Sequence, residues 1–309
     1  MAAESKQNRG RGQGGQPRSV QISKALSRLL RHAAEKEGLK MNTEGYANVA
    51  DVLQWQRLRS IKCTFDEIKH AVALSDKKRF GLLYISTVDE SMPVEPTPTD
   101  YQGSVTQHAL SVQDAEPSHF LIRATQGHSI KTVEAASLLE PLSLNDESKL
   151  PDTVVHGTFH GAWESILKSG GLKSMSRNHV HFATGPSLEA ALAAQQEQHS
   201  NTKSVADKTV ISGMRWDAQV LIYIDIRKAL AAGCPFWRSE NGVILSEGLS
   251  VLDACEDKDE APQKIVPVDF FDVVVERKSG LGKIWEHGKV LKELPETLTK
   301  RGNPKGNRK

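Results

Sequence analysis

The chain has 309 residues, 38% of them hydrophobic, enough to bury one large core or two lobes of ordinary domain size. Lys and Arg number 40 against 38 Asp and Glu, a net charge of +2, so bulk charge does not announce a nucleic-acid partner and any basic patch must be local. The cysteines Cys63, Cys234 and Cys255 are scattered without a C-x-x-C pair, so neither a disulfide framework nor a cysteine zinc site is supported, and no apolar run approaches the ~20 residues of a membrane span.

Residues 1–18 hold Lys6, Arg9, Arg11 and Arg18 among Gly, Gln and Asn, and residues 300–309 carry Lys and Arg without an acid; both ends read as disordered basic arms. From Val20, the apolar positions Ile22, Leu26, Leu29, Leu30 and Ala33 recur at helical spacing, and Gly38 makes a C-terminal stop. Residues 44–49 read as a turn and short strand, followed by a helix over 50–56. Thr64 and Glu67 form a capping box that opens a helix through Leu74, and residues 79–85 read as a strand. Helices followed by a β-ribbon point to a winged-helix-like lobe over 19–142.

Within that lobe, residues 88–117 carry Pro93, Pro96, Pro98, Gly103 and Pro117 with few large apolar side chains, the pattern of a long loop insertion without chemistry of its own. A strand resumes over 120–124, with a turn around Gly127. The polar stretch 143–151 reads as the linker to a second lobe over 150–278. There the spacing predicts strands at 153–156, 179–183, 220–226, 242–245 and 271–276, with helices at 162–169 and 188–196. The fold class is therefore α+β, with a split, mostly antiparallel sheet in the second lobe and a basic C-terminal tail over 279–309. No G-x-G-x-x-G opens a helix after a strand, so a Rossmann dinucleotide site is not expected.

Polar residues cluster at a few places. Arg31-His32 puts a permanent cation beside a titratable imidazole, which suits a phosphate that must be held and protonated, or else forms a solvated helix face. Arg79, at the start of a strand, reads on its own as a surface charge. Gln126-Gly127-His128-Ser129 is a tight turn with side chains able to bond an anion or a ribose, or a purely structural one. His156-Gly157-Thr158 ends an apolar strand, and its glycine would let a flat ring or phosphate approach the backbone unless it only turns the chain. His179 and His181 share a strand face at period two, without Cys, Asp or Glu at ligand spacing, so a metal site is not expected. Arg177, two residues before, could project toward an anion. Glu240 is a tempting catalytic acid, but a solvated turn is the safer reading.

Taken in order, these segments resemble the tRNA 2′-phosphotransferase family over roughly residues 23–276. The resemblance rests on Leu26-Ser27-Arg28-Leu29-Leu30-Arg31-His32, Arg79-Phe80, Ile122-Arg123-Ala124 through Gln126-Gly127-His128-Ser129, and His156-Gly157-Thr158. It continues with Arg177-Asn178-His179-Val180-His181, Ser212-Gly213-Met214-Arg215 and Asn241-Gly242-Val243-Ile244-Leu245. It implies a winged-helix RNA lobe joined to an ADP-ribosyltransferase-type lobe, with the active site in the cleft between them. Arg31, His32, Arg79 and Arg177 would be the catalytic set. His156, Gly157, Thr158 and His181 would hold NAD, with Gln126, His128 and Ser129 near the junction and no metal. A signature apolar residue would fall at about Val243, which disfavours Glu240 as a catalytic glutamate.

The implied substrate is tRNA bearing an internal 2′-phosphate, met by a monomer in the cytoplasm and/or nucleus at the last step of tRNA splicing. The phosphate attacks the nicotinamide-bearing ribose carbon of NAD, giving an ADP-ribosylated phosphate. The ribose 2″-hydroxyl then attacks that phosphate, releasing a 2′-hydroxyl and ADP-ribose 1″,2″-cyclic phosphate. The rival readings are an ADP-ribosyltransferase that modifies nucleic-acid ends or protein and stops after the first step, and a noncatalytic winged-helix RNA-binding protein.

Overall fold

The computed structural model describes residues 16–85, 100–133, 139–199, 212–250 and 264–300. The outer parts of both basic arms, residues 88–99 of the expected insertion, and Cys255 lie outside them. Cys63 and Cys234 are free thiols.

The N-terminal part is built on helix α1 (Arg18–Arg28), whose Ile22, Ala25 and Leu26 are buried at helical spacing. The helix runs on through one wider π-turn over Leu29–Ala33, in which Leu29, Leu30 and Ala33 stay buried. Strand β1 (Ala47–Asn48) leads into α2 (Val49–Gln54), where the Asn48 carboxamide accepts the Ala50 N–H at 2.8 Å and so caps the helix. Then come α3 (Gln56–Ser60) and α4 (Phe65–Ala73), the latter opened by the Thr64–Glu67 capping box read in the sequence. Strands β2 (Phe80–Tyr84) and β3 (Phe120–Ala124) complete a three-stranded antiparallel sheet in the order β1-β3-β2. Leu26, Leu29, Leu30, Leu58, Ile68, Phe120 and Ile122 form the core between this sheet and the helices.

Three expectations are corrected. The insertion contains helix α5 (Asp100–Ser111), which packs on β2, buries Ala109 and offers Thr106 Oγ1 to the Leu82 N–H at 3.2 Å. The stretch 279–309 is not simply a tail, because residues 282–290 form two strands of the central sheet of the C-terminal part. At the other end, Arg18, assigned to the N-terminal arm, opens α1 and pairs with Glu67.

The remaining strands and helices are β4 (Leu139–Leu142), β5 (Val155–Thr158), α6 (His160–Lys168), β6 (Gly171–Lys173), β7 (Val180–Phe182), α7 (Leu188–His199), β8 (Val220–Ile224), α8 (Ile226–Ala231), β9 (Phe236–Ser239), β10 (Ile244–Ser246), β11 (Leu249–Ser250), β12 (Lys264–Pro267), β13 (Phe271–Glu276), β14 (Gly282–Glu286), β15 (Lys289–Val290) and α9 (Glu296–Thr299). They form a five-stranded sheet β15-β14-β13-β8-β5, a four-stranded sheet β4-β9-β10-β7 and a three-stranded sheet β11-β12-β6, all antiparallel. The molecule is α+β. Strand β4, ahead of the expected linker, is hydrogen-bonded to β9 and so belongs to the C-terminal sheets.

Where the two larger sheets part, Val155 and Ala183 exchange two backbone hydrogen bonds of 2.9 and 2.8 Å. This bridge brings the end of β7 against the start of β5. Between the N- and C-terminal parts lies a small apolar cluster of Ala34, Ile130, Val133, Leu139, Val243 and Leu245.

Candidate active site

The π-turn after α1 carries Arg31 and His32 at the edge of that apolar cluster. Arg31 is half-buried, and its Nε and Nη2 are buried donors with no hydrogen-bond partner. Its pKa is lowered to about 10, first by burial and then by the neighbouring Arg177 and Arg79. Three arginines from three separate segments thus converge. Arg79 precedes β2, where its backbone N–H donates to Ser75 Oγ at 3.0 Å and its own carbonyl accepts the Thr125 N–H at 3.1 Å. Arg177 lies on the exposed turn before β7, its pKa lowered by desolvation and by Arg215.

The turn after β3 meets this cluster from the other side. Gly127 has φ +85°, and a Cβ there would stand 3.5 Å from His181 Nε2 and 3.6 Å from Arg31 Nη1. The glycine therefore serves both a left-handed turn and a close approach to two site side chains. Ser129 accepts or donates one hydrogen bond of 3.0 Å with His32 Nδ1, while its backbone N–H donates to the Arg31 carbonyl at 2.9 Å. The His32 pKa is lowered by burial, then by Arg31 and Arg177, so the ring is neutral at pH 7.

A row of imidazoles, each tied to a backbone carbonyl or to Gln126 and not to one another, runs from here into the C-terminal sheets. His181 donates from Nδ1 to the His179 carbonyl at 2.9 Å, and its Nε2 lies 2.8 Å from the Gln126 carboxamide at the position assigned to Oε1, an orientation interchangeable with the NH2. Burial, and next Arg177, hold its pKa at about 3, so the ring is neutral and Nε2 must accept. The consistent arrangement turns the Gln126 NH2 toward the ring. His156 donates from Nδ1 to the His181 carbonyl at 2.9 Å, which leaves its Nε2 as an acceptor. His128 is buried with Nε2 unpartnered, and burial followed by Arg31 lowers it to about 3. It lines a cavity with Thr125, Gln126, Gly127, Asn178 and His179.

Arg31, His32, Arg79, Gln126, His128, Ser129, His156, Arg177 and His181 are therefore neighbours. Gly157 and Thr158 follow His156 along β5, but the open approach expected at Gly157 is taken on one side by the protein itself. A Cβ there would stand 2.3 Å from Met214 Cγ and 2.9 Å from Ala218 Cβ. Glu240 is not a solvated turn residue: its side chain is 12% exposed, with Oε2 3.7 Å from Nη2 of the buried Arg123, whose guanidinium also lies over Tyr46. Arg215, close enough to depress both Arg177 and His156, had no role in the sequence reading. The signal for it was the Ser212–Arg215 segment. Among the described residues no group of three or more His, Cys, Asp and Glu side chains could hold a metal ion, and no helix is long and apolar enough to cross a membrane.

An α+β protein that gathers guanidinium groups and neutral imidazoles where its two parts meet has the site of an enzyme that handles phosphate. The chain belongs to the RNA 2′-phosphotransferase, Tpt1 / KptA family, whose model matches residues 17–248. It is 32% identical to tRNA 2′-phosphotransferase 1 of Danio rerio over 272 residues, covering 85% of this chain and 97% of that protein. Against tRNA 2′-phosphotransferase of Saccharomyces cerevisiae the identity is 34% over 236 residues, 76% of this chain and 81% of the relative. A bacterial relative, the probable RNA 2′-phosphotransferase of Agrobacterium fabrum, is 27% identical over 231 residues, 75% and 90% of the two chains. The chain is thus a transferase of RNA processing.

Proposed function

We propose that this transferase moves the splice-junction 2′-phosphate of ligated tRNA to NAD, leaving a 2′-hydroxyl and releasing nicotinamide and ADP-ribose 1″,2″-cyclic phosphate. We read its N-terminal part as a winged-helix RNA lobe and its C-terminal part as an ADP-ribosyltransferase-type lobe. The observation that carries the proposal is Arg31: a desolvated guanidinium with two unpartnered donors, on which both acting neighbours are cations. Such a group is stabilised by a multiply charged anion, and a terminal phosphate matches its fork.

NAD supplies the ribose carbon from which nicotinamide leaves and the hydroxyl that then takes the phosphoryl group. The fit of the residues to such a ligand rests on free polar atoms. His156 Nε2 can accept from a hydroxyl or amide, and His128 Nε2 is buried without a partner beside Gln126 and His181. The phosphate is already a nucleophile at neutral pH, so in the first step Arg31, Arg79 and Arg177 contribute position. In the second, negative charge grows on the phosphate oxygens and the same guanidinium groups stabilise it. His32 is neutral and linked to Ser129, which suits it to take a proton at Nε2 as the hydroxyl attacks.

Incubation with NAD and an RNA carrying one internal 2′-phosphate tests this. NAD-dependent appearance of ADP-ribose 1″,2″-cyclic phosphate is expected. RNA that keeps an ADP-ribosyl group, with no cyclic product, would instead make the chain a single-step ADP-ribosyltransferase.

A further inference from the structure

The turn 212–219 lies against the site, yet the role of its outer residues is not accounted for by the chemistry above. It is anchored on two sides. Gly213, at φ +84°, sits so close to β7 that a Cβ would stand 2.4 Å from the Phe182 carbonyl oxygen. Met214 is buried over Gly157, the Ala218 N–H donates to the Arg215 carbonyl at 3.2 Å, and the Gln219 N–H donates to the Thr158 carbonyl at 2.8 Å. With its base pinned to β5 and β7, the turn pushes two large side chains outward. The Arg215 guanidinium stands 5.4 Å from the Phe159 ring, and Trp216 is 81% exposed. Few features favour leaving an indole in water on an otherwise anchored turn, since each such ring forgoes a large apolar burial.

We propose that Arg215 and Trp216 form a subsite for the RNA nucleotide that adjoins the 2′-phosphate, the guanidinium on its phosphodiester and the indole beneath its base. The inference rests on the reading of Arg177 as a ligand of the 2′-phosphate. In an RNA chain that phosphate and the neighbouring 3′-phosphodiester spring from one ribose, so two anions a few ångströms apart require two cations side by side. Arg177 precedes β7, and the turn that carries Arg215 is packed on β7 through Gly213, so the two cations act on one region and Arg215 lowers the pKa of Arg177. An unpaired base next to them needs a flat partner that any base can use, and an exposed indole beside an arginine is the usual protein answer. The subsite would favour a splice junction presented as single-stranded or splayed RNA over one stacked within a helix.

The test is equilibrium binding of a short single-stranded RNA with one internal 2′-phosphate, measured by anisotropy without NAD, together with KM values for RNA and NAD. Because Trp216 is exposed, its replacement leaves the core untouched. Trp216→Ala is expected to weaken RNA binding about tenfold, with Trp216→Phe retaining most of the affinity, as base stacking predicts. KM for NAD is expected to stay near the parent value. Parent-like RNA affinity in Trp216→Ala would overturn the proposal, as would a rise in KM for NAD alone, which would assign the indole to the dinucleotide. If the parent binds this RNA through Trp216 but forms no cyclic product, the functional reading fails and the subsite stands.

Discussion

At the scale of single residues, the proposed chemistry depends most on Arg31, whose guanidinium is desolvated with two unpartnered donors. Arg31→Lys keeps a charge but replaces a rigid five-donor fork by a point charge, so kcat/KM for 2′-phosphorylated RNA is expected to fall about 100-fold or more. Steady-state kinetics with an unchanged urea midpoint would separate this loss from unfolding. The imidazoles give the site a pH signature of the opposite kind, in stability. His128 and His181 are held at about 3, first by burial and then by nearby arginines, whereas an unfolded histidine titrates near 6.5. Between those values the unfolded chain binds protons that the folded one refuses. Stability is thus full above pH 6.5 and is lost as pH falls through this window, by about 2 kcal/mol per residue between pH 7 and 5. Urea melts at the two pH values read this loss, and His128→Gln is expected to flatten the dependence. An equal slope in that variant would refute the assignment. The sequence made most of these residues legible, because Arg31, Arg177 and the histidines sit in dense polar segments. It did not show that Arg215 joins them, since that depends on a turn being folded back onto β5. Nor did it show that Glu240 faces Arg123 across two sheets, 117 positions away in the chain.

Glycine contacts decide how the elements meet around the site. Gly157 and Gly213 are both crowded, but by different things. A Cβ at Gly157 meets the Met214 side chain, which can move, while one at Gly213 meets the Phe182 carbonyl and also needs a left-handed backbone. Gly157→Ala is therefore expected to cost about 1–3 kcal/mol, and a Met214→Ala background to recover much of it. Gly213→Ala is expected to cost about 3 kcal/mol or more with no such recovery. Double-variant cycles in urea check both, and equal coupling at the two glycines would contradict the geometry. Among elements, those with local signatures were readable in the sequence: the capping box of α4, the buried stripe of α1, and the apolar strands β8 and β13. Elements that depend on partners were not. Helix α5 contains Gly103, its hydropathy is barely amphipathic, and it is held by Thr106 and Ala109 against β2. Strands β14 and β15 are set among Gly280, Gly282 and Gly288 and carry Lys283 and Lys289, so they resemble a tail until Ile284 and Trp285 find the core.

Across the whole molecule, the proposed catalytic set is split: Arg31, His32 and Arg79 come from the N-terminal part and Arg177 from the C-terminal part. Their alignment depends on what joins the two. Besides the apolar cluster around Leu139 and Val243 and the Gln126–His181 contact, polar ties at Asn241 and Glu240 cross the boundary. The Asn241 amide donates to the Lys77 carbonyl at 2.7 Å, and Glu240 faces the buried Arg123 at 3.7 Å. Removing a carboxylate from beside a desolvated guanidinium costs about 3 kcal/mol, whereas loss of one hydrogen bond costs about 1 kcal/mol. Glu240→Ala should therefore destabilise the protein more than Asn241→Ala in urea melts. Both should lower kcat/KM through misplaced arginines, and both should leave the pH profile of turnover unshifted, because neither group exchanges a proton with substrate. A Glu240 that served as a general acid would behave differently: Glu240→Gln would abolish turnover and remove one limb of the pH profile while the melt stayed parent-like. With the carboxylate turned toward Arg123, Glu240→Gln is expected to show the reverse, a lowered urea midpoint with both limbs of the profile intact.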